Sequence, residues 1–412
     1  MPTIKTNWIQ AISVISYQYL SQLLYVLMIH YIGLYYGFFE FLRNLQLFGF
    51  KKINLNYELE TIDLDGKICL ITGGSRGLGF EVIKYLLNRK CKIITGTSSL
   101  ADDATDEEIE LFRKKLLKKL RNLEESDDAI ETVGNNLRLL PLDLFSMPSV
   151  NRFIERIKQK YSRIDFLICN GGVMMVPFRL NKNNFESQMA INYYSHCLII
   201  AKLLPLMRNR PQNERSEYGQ RENHQFRKSR IVMVTSAAHH GVHGLRLDDL
   251  NSQHFYSPSQ AYCQSKLAQV MFCYQFNRWL QSFESKQSMK KIHPLDDDDD
   301  DGETLSKKIT INCLHPGLCR TGLMDAFNFT AINIHQTPFF RSAIEGAECI
   351  LHATLSPRLE SKSGFYYEDC LPTKSSHWSY DETLQKRLWT TTWKDLKPWL
   401  TKEEFDAFVS DE

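Results

Sequence analysis

Between residues 67 and 314 the chain returns six times to a short run of apolar residues, at 67–72, 91–97, 137–142, 164–169, 231–235 and 309–314. The runs are apolar along their whole length and do not alternate with polar residues, as expected of strands covered on both faces. Stretches with helical periodicity separate them, such as 78–89 and the charged 105–125. Strands that alternate with helices predict a parallel sheet with helices on both faces. Right-handed crossovers then make it a doubly wound, Rossmann-type α/β fold. With 412 residues, 43% of them hydrophobic, the chain has material for a large core.

Two stretches interrupt this rhythm. Residues 208–230 are polar and carry Pro211, and residues 284–308 contain six consecutive aspartates at 296–301. Each falls between a helix and the next strand, so both are read as solvated insertions. Six exposed, mutually repelling carboxylates need no metal partner. The catalytic domain is expected at 60–370, with a helical C-terminal extension at 371–412.

The first 52 residues have a different character. From Thr6 to Phe39 there is no Asp, Glu, Lys or Arg, and residues 9–41 are rich in Ile, Leu, Tyr, Val and Phe. A helix needs about 20 apolar residues to cross a bilayer, so this run predicts a membrane segment preceding the catalytic domain. It exceeds a signal-peptide core and has no small-residue cleavage site. Gly33 and Gly37 allow a hairpin in place of one span, and packing on the globular domain is the third alternative. Arg43, Lys51 and Lys52 behind the segment favour a cytosolic catalytic domain. The net charge of +2 argues against nucleic-acid binding. The 10 cysteines are scattered, without the spacing of a metal site, and read as reduced, buried thiols.

The first strand runs directly into Thr72-Gly73-Gly74-Ser75-Arg76-Gly77-Leu78-Gly79. Glycines let backbone approach a pyrophosphate, and the helix that follows presents free N–H groups and the positive end of its dipole. A nucleotide site is expected there. After the second strand stands Gly96-Thr97-Ser98-Ser99, with no carboxylate before Asp102 to repel a 2′-phosphate, while Arg76 is placed to attract one. NADP(H) is therefore expected to be accepted. Tyr262 and Lys266 form a YxxxK pair, of which about one is expected by chance among 18 tyrosines. Position gives this one weight. It starts an amphipathic helix, where i and i+4 share a face, so the ammonium is expected to draw down the phenol pKa from ~10. Ser236 ends the preceding strand, where side chains enter the ligand crevice.

Taken in order, TGGSRGLG, Asp143-Leu144, Asn170-Gly171-Gly172, Asn192, Ser236, Tyr262/Lys266 and Pro316-Gly317 resemble the short-chain dehydrogenases/reductases over about residues 60–370. The long gap between Ser236 and Tyr262, with histidines at 239–254, is similar to the retinol-dehydrogenase-like branch. The stretches 172–177, 256–258, 261–267 and 345–347 resemble its polyprenol-oxidising members. This resemblance implies that Ser236 orients the substrate oxygen and Tyr262 exchanges a proton with it. Lys266 would hold the nicotinamide ribose, and Asn192 would support a water relay to the lysine. Gly73, Ser75, Arg76, Gly77, Leu78 and Gly79 would line the dinucleotide, with Asp143 at the adenine and Asn170 and Gly171 by the adenosine ribose. Pro316, Gly317 and Thr321 would hold the nicotinamide. No metal is implied. Gly171 departs from the family's alanine.

The stretch 316–340 is rich in Leu, Met, Ile and Phe and is expected to form a loop for a large apolar substrate. The resemblance implies oxidation of polyprenol with NAD and reduction of dolichal with NADPH, at the cytosolic face of the endoplasmic reticulum or a lipid droplet. The alternatives are a retinoid or steroid oxidoreductase, or a silent nucleotide-binding scaffold. Family members often pair through the helices around Asn192 and Tyr262, so a homodimer is possible and the oligomeric state stays open. The sequon at Asn328 would go unused on that side of the membrane.

Overall fold

Successive residues of each central strand enter opposite cores. Leu70, Ile94 and Leu167 point into one, and Ile71, Ile93 and Ile168 into the other. This is the period-2 geometry of a strand covered on both faces. The computed structural model describes residues 3–49, 59, 62–120, 134–208, 228–290, 309–323 and 338–409. Its sheet is built from β1 (Ile68–Thr72), β2 (Lys92–Thr97), β3 (Leu137–Pro141), β4 (Phe166–Cys169), β5 (Ser229–Val234), β6 (Ile309–His315), β7 (Tyr366–Glu368) and β8 (Leu371–Pro372). The order is 3-2-1-4-5-6-7-8, with every pairing parallel except the last. The six expected strands are present. β7 and β8 are additions, and their two or three residues are too short to carry a periodic signal.

Helix α1 (Thr3–Asn44) precedes the sheet. The sheet's helices are α2 (Gly77–Leu87), α3 (Asp106–Leu120), α4 (Met147–Lys160), α5 (Ser195–Arg208), α6 (Pro258–Lys290) and α7 (Ala343–Leu355). Those on one side contribute Phe153, Leu198 and Met271 to the first core, and those on the other contribute Val82, Leu117 and Ile350 to the second. A π turn at Ala190–Tyr194 leads into α5. The C-terminal helices α8 (Glu382–Leu396) and α9 (Lys402–Val409) join the first core. Trp393 stacks on Phe408 at 4.1 Å, and Trp389 stacks on Phe272 at 5.7 Å. The Tyr193 hydroxyl bonds Thr392 at 2.7 Å, and Tyr194 donates to Asp395 at 2.7 Å. Helix α8 is thus tied to the chain at Tyr193 and Tyr194, beside Asn192.

The N-terminal segment is one continuous 42-residue helix, not a hairpin. Gly33 and Gly37 lie inside it, where the i→i−4 ladder runs through without a break. Residues Gln22–Asn44 are long and apolar enough to cross a membrane. One stripe of this segment nevertheless docks on the sheet domain. Gln22 donates to the Tyr256 carbonyl at 3.3 Å, Tyr36 to Glu368 at 2.9 Å, and Asn44 to the Pro338 carbonyl at 2.7 Å. The opposite face leaves Leu20, Leu23, Leu27, Leu34 and Phe38 exposed. Of the two polar insertions, residues 209–227 and 291–308 lie outside the described residues, as do the aspartate run and the sequon.

Candidate active site

Every strand end that carries an expected site residue lies at the same edge of the sheet. The turns after β1, β4, β5 and β6 border one cleft of about 540 Å³, within the ~300–1,000 Å³ range of small-molecule sites. The cleft opens where the strand order reverses between β1 and β4, the place where such sheets bind ligands. Two turns are stitched together there. The Thr72 hydroxyl accepts from the amides of Asn170 and Gly171 at 3.0 and 2.9 Å, and Asn170 Nδ2 donates to the carbonyls of Thr72 and Gly73 at 3.0 and 3.2 Å.

The glycine turn fits a dinucleotide. Gly73 and Gly77 have φ of +69° and +59°, in the left-handed region, and a Cβ on Gly73 would sit 2.8 Å from Gly171 Cα. Arg76 N-caps α2 without a side-chain cap bond of its own, at the helix end that faces the cleft, where free N–H groups suit a phosphate. Gly73, Ser75, Arg76, Gly77, Leu78, Asp143, Asn170, Gly171, Pro316, Gly317 and Thr321 all line the cleft. Gly79 does not. It packs α2 on the turn, and its Cβ would lie 2.4 Å from the Gly73 carbonyl oxygen. At Gly171, where the family pattern has alanine, a methyl would meet Leu144 Cδ1 at 2.6 Å, so Leu144 occupies the space that a β-carbon would need.

Ser236 follows β5 and N-caps a short 3-10 turn, accepting from the Ala238 amide at 3.2 Å. Tyr262, in the first turns of α6, is buried. Burial pushes its phenol up, and the hydrogen bond with Ser236 pulls the other way. Lys266 does not supply the expected lowering. Its Nζ stands 5.7 Å from the Tyr262 ring centre and donates to the Val234 carbonyl at 3.2 Å and to Gln269 at 2.9 Å. Burial holds this ammonium down at about 7, so near neutrality it carries only part of its charge. Asn192 sits in the π turn, off the cleft surface. Its side chain is committed to both backbone groups of Val173, at 2.9 and 3.0 Å, and to Ser265 at 2.9 Å. It therefore ties the β4 turn to α6, and no side-chain bond from it reaches Lys266.

Sequence reasoning missed His315 and Arg341. His315 lines the cleft one residue before Pro316, is buried with neither ring nitrogen hydrogen-bonded, and burial pushes its pKa down to about 3. Its place at the end of β6 was the available signal. The histidines between Ser236 and Tyr262 include a structural one. His239 bonds the Ser236 carbonyl at 2.7 Å and accepts from the Ser376 amide at 3.0 Å. Asp102 does not line the cleft; it is occupied by Ser149 and Arg152. In the expected substrate loop, Leu318 and Leu323 line the cleft and Phe339 is partly exposed, whereas Met324, Phe327, Phe329, Ile332 and Ile334 lie outside the described residues.

A doubly wound sheet whose switch point carries a glycine turn, with Ser236 after the next strand and Tyr262 and Lys266 on the helix that follows, has the geometry of a nicotinamide-dependent oxidoreductase. Residues 67–238 match the short chain dehydrogenase family. The chain is 28% identical over 354 residues to a polyprenol dehydrogenase of Danio rerio, covering 85% of this chain and 93% of the relative. It is 29% identical to retinol dehydrogenase 14 of Homo sapiens, covering 79% of this chain and 85% of the relative. The crystal structure of an uncharacterized protein from Mycobacterium Paratuberculosis shares the fold, with a TM-score of 0.51 at 20% identity over 81% of this chain and 95% of that one. Over residues 67–238 the chain thus carries the short chain dehydrogenase pattern, and with similarity to dehydrogenases over most of its length it is an NAD(P)-dependent oxidoreductase.

Proposed function

We propose that the protein interconverts a long isoprenoid alcohol and its carbonyl form, oxidising polyprenol and reducing dolichal, while attached to a membrane through α1. The observation that carries this reading is the placement of Ser236, Tyr262 and Lys266 on a cleft also lined by Leu318 and Leu323, with Leu318 close to Gly37 of the apolar α1. The relatives named polyprenol dehydrogenase support the isoprenoid class, and those named retinol dehydrogenase support a retinoid as the second reading.

In this reading the bound nicotinamide supplies or accepts a hydride. Ser236 holds the substrate oxygen, and Tyr262 gives that oxygen its proton in reduction and removes it in oxidation. Lys266, anchored on Val234 and Gln269, holds the nicotinamide ribose, while Asn192 keeps the β4 turn and α6 in register. Gly73, Ser75, Arg76, Gly77 and Leu78 would cradle the phosphates, with Asp143 at the adenine and Asn170 and Gly171 by its ribose. Pro316, Gly317 and Thr321 hold the nicotinamide. Both NADP(H) and NAD(H) are accepted in this reading. Arg76 is exposed on the rim, the floor after β2 is Gly96-Thr97-Ser98-Ser99, and Asp102 is engaged elsewhere.

The exposed apolar face of α1 supports membrane attachment, and in this reading the enzyme works at the cytosolic surface of the endoplasmic reticulum or a lipid droplet. The test is turnover of polyprenol, dolichal and all-trans-retinal by detergent-solubilised full-length protein with NAD(H) and NADP(H), using Tyr262→Phe as the blank. Turnover of the isoprenoids is the expected result. Turnover of retinal alone replaces the substrate class and keeps the site, and silence on all three rejects the catalytic reading.

A further inference from the structure

One residue, Arg341, joins the described stretches 316–323 and 338–341. The Arg341 amide donates to the Leu318 carbonyl at 2.7 Å, and its carbonyl accepts from the Arg320 amide at 2.9 Å, forming an isolated parallel bridge with Cys319. The side chain turns back over the same segment. Nη1 donates to the Pro316 carbonyl at 3.3 Å, and a Cβ on Gly317, whose φ is +89°, would lie 2.5 Å from Arg341 Nε. The guanidinium therefore lies against the Pro316–Gly317 turn.

What holds the guanidinium there comes from the N-terminal helix, 301 positions away. Glu40 accepts from Arg341 Nε at 2.8 Å, and both side chains are 3% exposed. Asp369, at the β7–β8 turn, takes the other arm of Arg341, and Arg43 pairs with both Glu40 and Asp369. The result is a closed set of two arginines and two carboxylates between the anchor helix, the loop base and the sheet edge. The same stretch of α1 grips the loop elsewhere. Asn44 donates to the carbonyls of Pro338 and Phe340, Phe41 stacks on Phe339 at 5.1 Å, and a Cβ on Gly37 would touch Leu318 and Phe339 at 3.8 Å. A helix that served only as a tether would have no reason to bury a carboxylate beneath the active-site loop, where an unpaired charge is costly.

We propose that α1 is a positioning element of the active site. Glu40 holds Arg341, and Arg341 holds the Pro316–Gly317 turn in the form that receives the nicotinamide half of the cofactor. This rests on the proposed placement of the nicotinamide at Pro316, Gly317 and Thr321. In Glu40→Gln, Arg341 keeps Asp369 but loses the charge that orients its Nε edge, so the Pro316–Gly317 turn beneath it is released, and with it the nicotinamide end of the cleft rather than the adenine end at Asp143.

The experiment measures equilibrium binding to full-length protein in detergent, with NADPH against 2′,5′-ADP and NADH against AMP. The shorter ligand of each pair contains only the adenosine half. Glu40→Gln is expected to weaken the dinucleotides by roughly tenfold, ~1.4 kcal/mol, and the adenosine halves by less than about twofold. Gln22→Ala, at the other end of the docked stripe, is expected to change neither. Should Glu40→Gln fail to fold, Arg341→Lys keeps a cation beside both carboxylates but loses the fork that reaches Pro316, and the same split is expected. Equal weakening of both ligands, or of neither, overturns the proposal. Thr321→Ala separates the two readings. If it weakens the dinucleotide while Glu40→Gln does not, the clasp is wrong and the nicotinamide placement stands; if neither does, both fall.

Discussion

Gly73→Ala is expected to damage both the fold and the cofactor site, by an amount that follows from geometry. Gly73 has φ +69°, and an added Cβ would stand 2.8 Å from Gly171 Cα, 3.1 Å from Asn170 Nδ2 and 3.2 Å from the Gly171 amide. Alanine held in the left-handed region costs ~1–2 kcal/mol. The contact with Gly171 is to backbone, which no rotamer change relieves, and overpacking of this kind costs ~1–3 kcal/mol. The sum is about 2–5 kcal/mol. The chain can reduce it only by moving the β1 and β4 turns apart, which stretches the bonds from the Asn170 and Gly171 amides to Thr72. Part of the cost therefore appears in the unfolding midpoint and part in dinucleotide affinity, where each ~1.4 kcal/mol is tenfold. Urea denaturation and dinucleotide titration measure the two shares. Gly33→Ala is the matched control, since its Cβ meets nothing within 4 Å. A Gly73→Ala protein within ~0.5 kcal/mol of the parent and with unchanged affinity would refute the assignment of this turn, because that is the range of surface substitutions away from special sites.

Tyr262→Phe is expected to lower turnover by ~10²–10⁴, the usual contribution of a general acid/base, while dinucleotide titration shows binding retained. Survival of activity would remove Tyr262 from the chemistry. Lys266→Met tests the buried ammonium through stability. Its pKa is lowered in the fold from 10.5 to about 7, so between these values the unfolded chain binds more protons and the wild type gains stability as pH rises. The advantage of the methionine variant should be widest below about pH 7 and shrink toward pH 10, as read by thermal denaturation without cofactor; a gap that widens over this range contradicts the assignment. Trp393→Ala, at a fully buried side chain stacked on Phe408, is expected to cost ~3–5 kcal/mol in chemical denaturation. A loss below ~1 kcal/mol would mean that α8 and α9 are dispensable to the core.

The six central strands and the glycine turn were legible because each is a local pattern. A strand buried on both faces must be apolar throughout, and Gly73 and Gly77 occupy positions where a side chain would be strained. Tyr262/Lys266 carried weight only through its place after the strand that ends near Ser236. The one continuous α1 was not legible, since Gly33 and Gly37 permit a hairpin and only docking shows which form is used. Nor was the phenol's environment. Helical spacing put Tyr262 and Lys266 on one face, but Val234 and Gln269 draw the ammonium away, and burial works against the charge of both groups. The ties of α8 to Tyr193 and Tyr194, the unbonded ring of His315 and the Glu40–Arg341 pair left no trace in any short window. Local composition determines whether a segment will be buried and with what period. Which distant segment buries it, and whether a charge such as Glu40 finds its partner 301 residues later, is decided only when the sheet brings the two ends of the chain together.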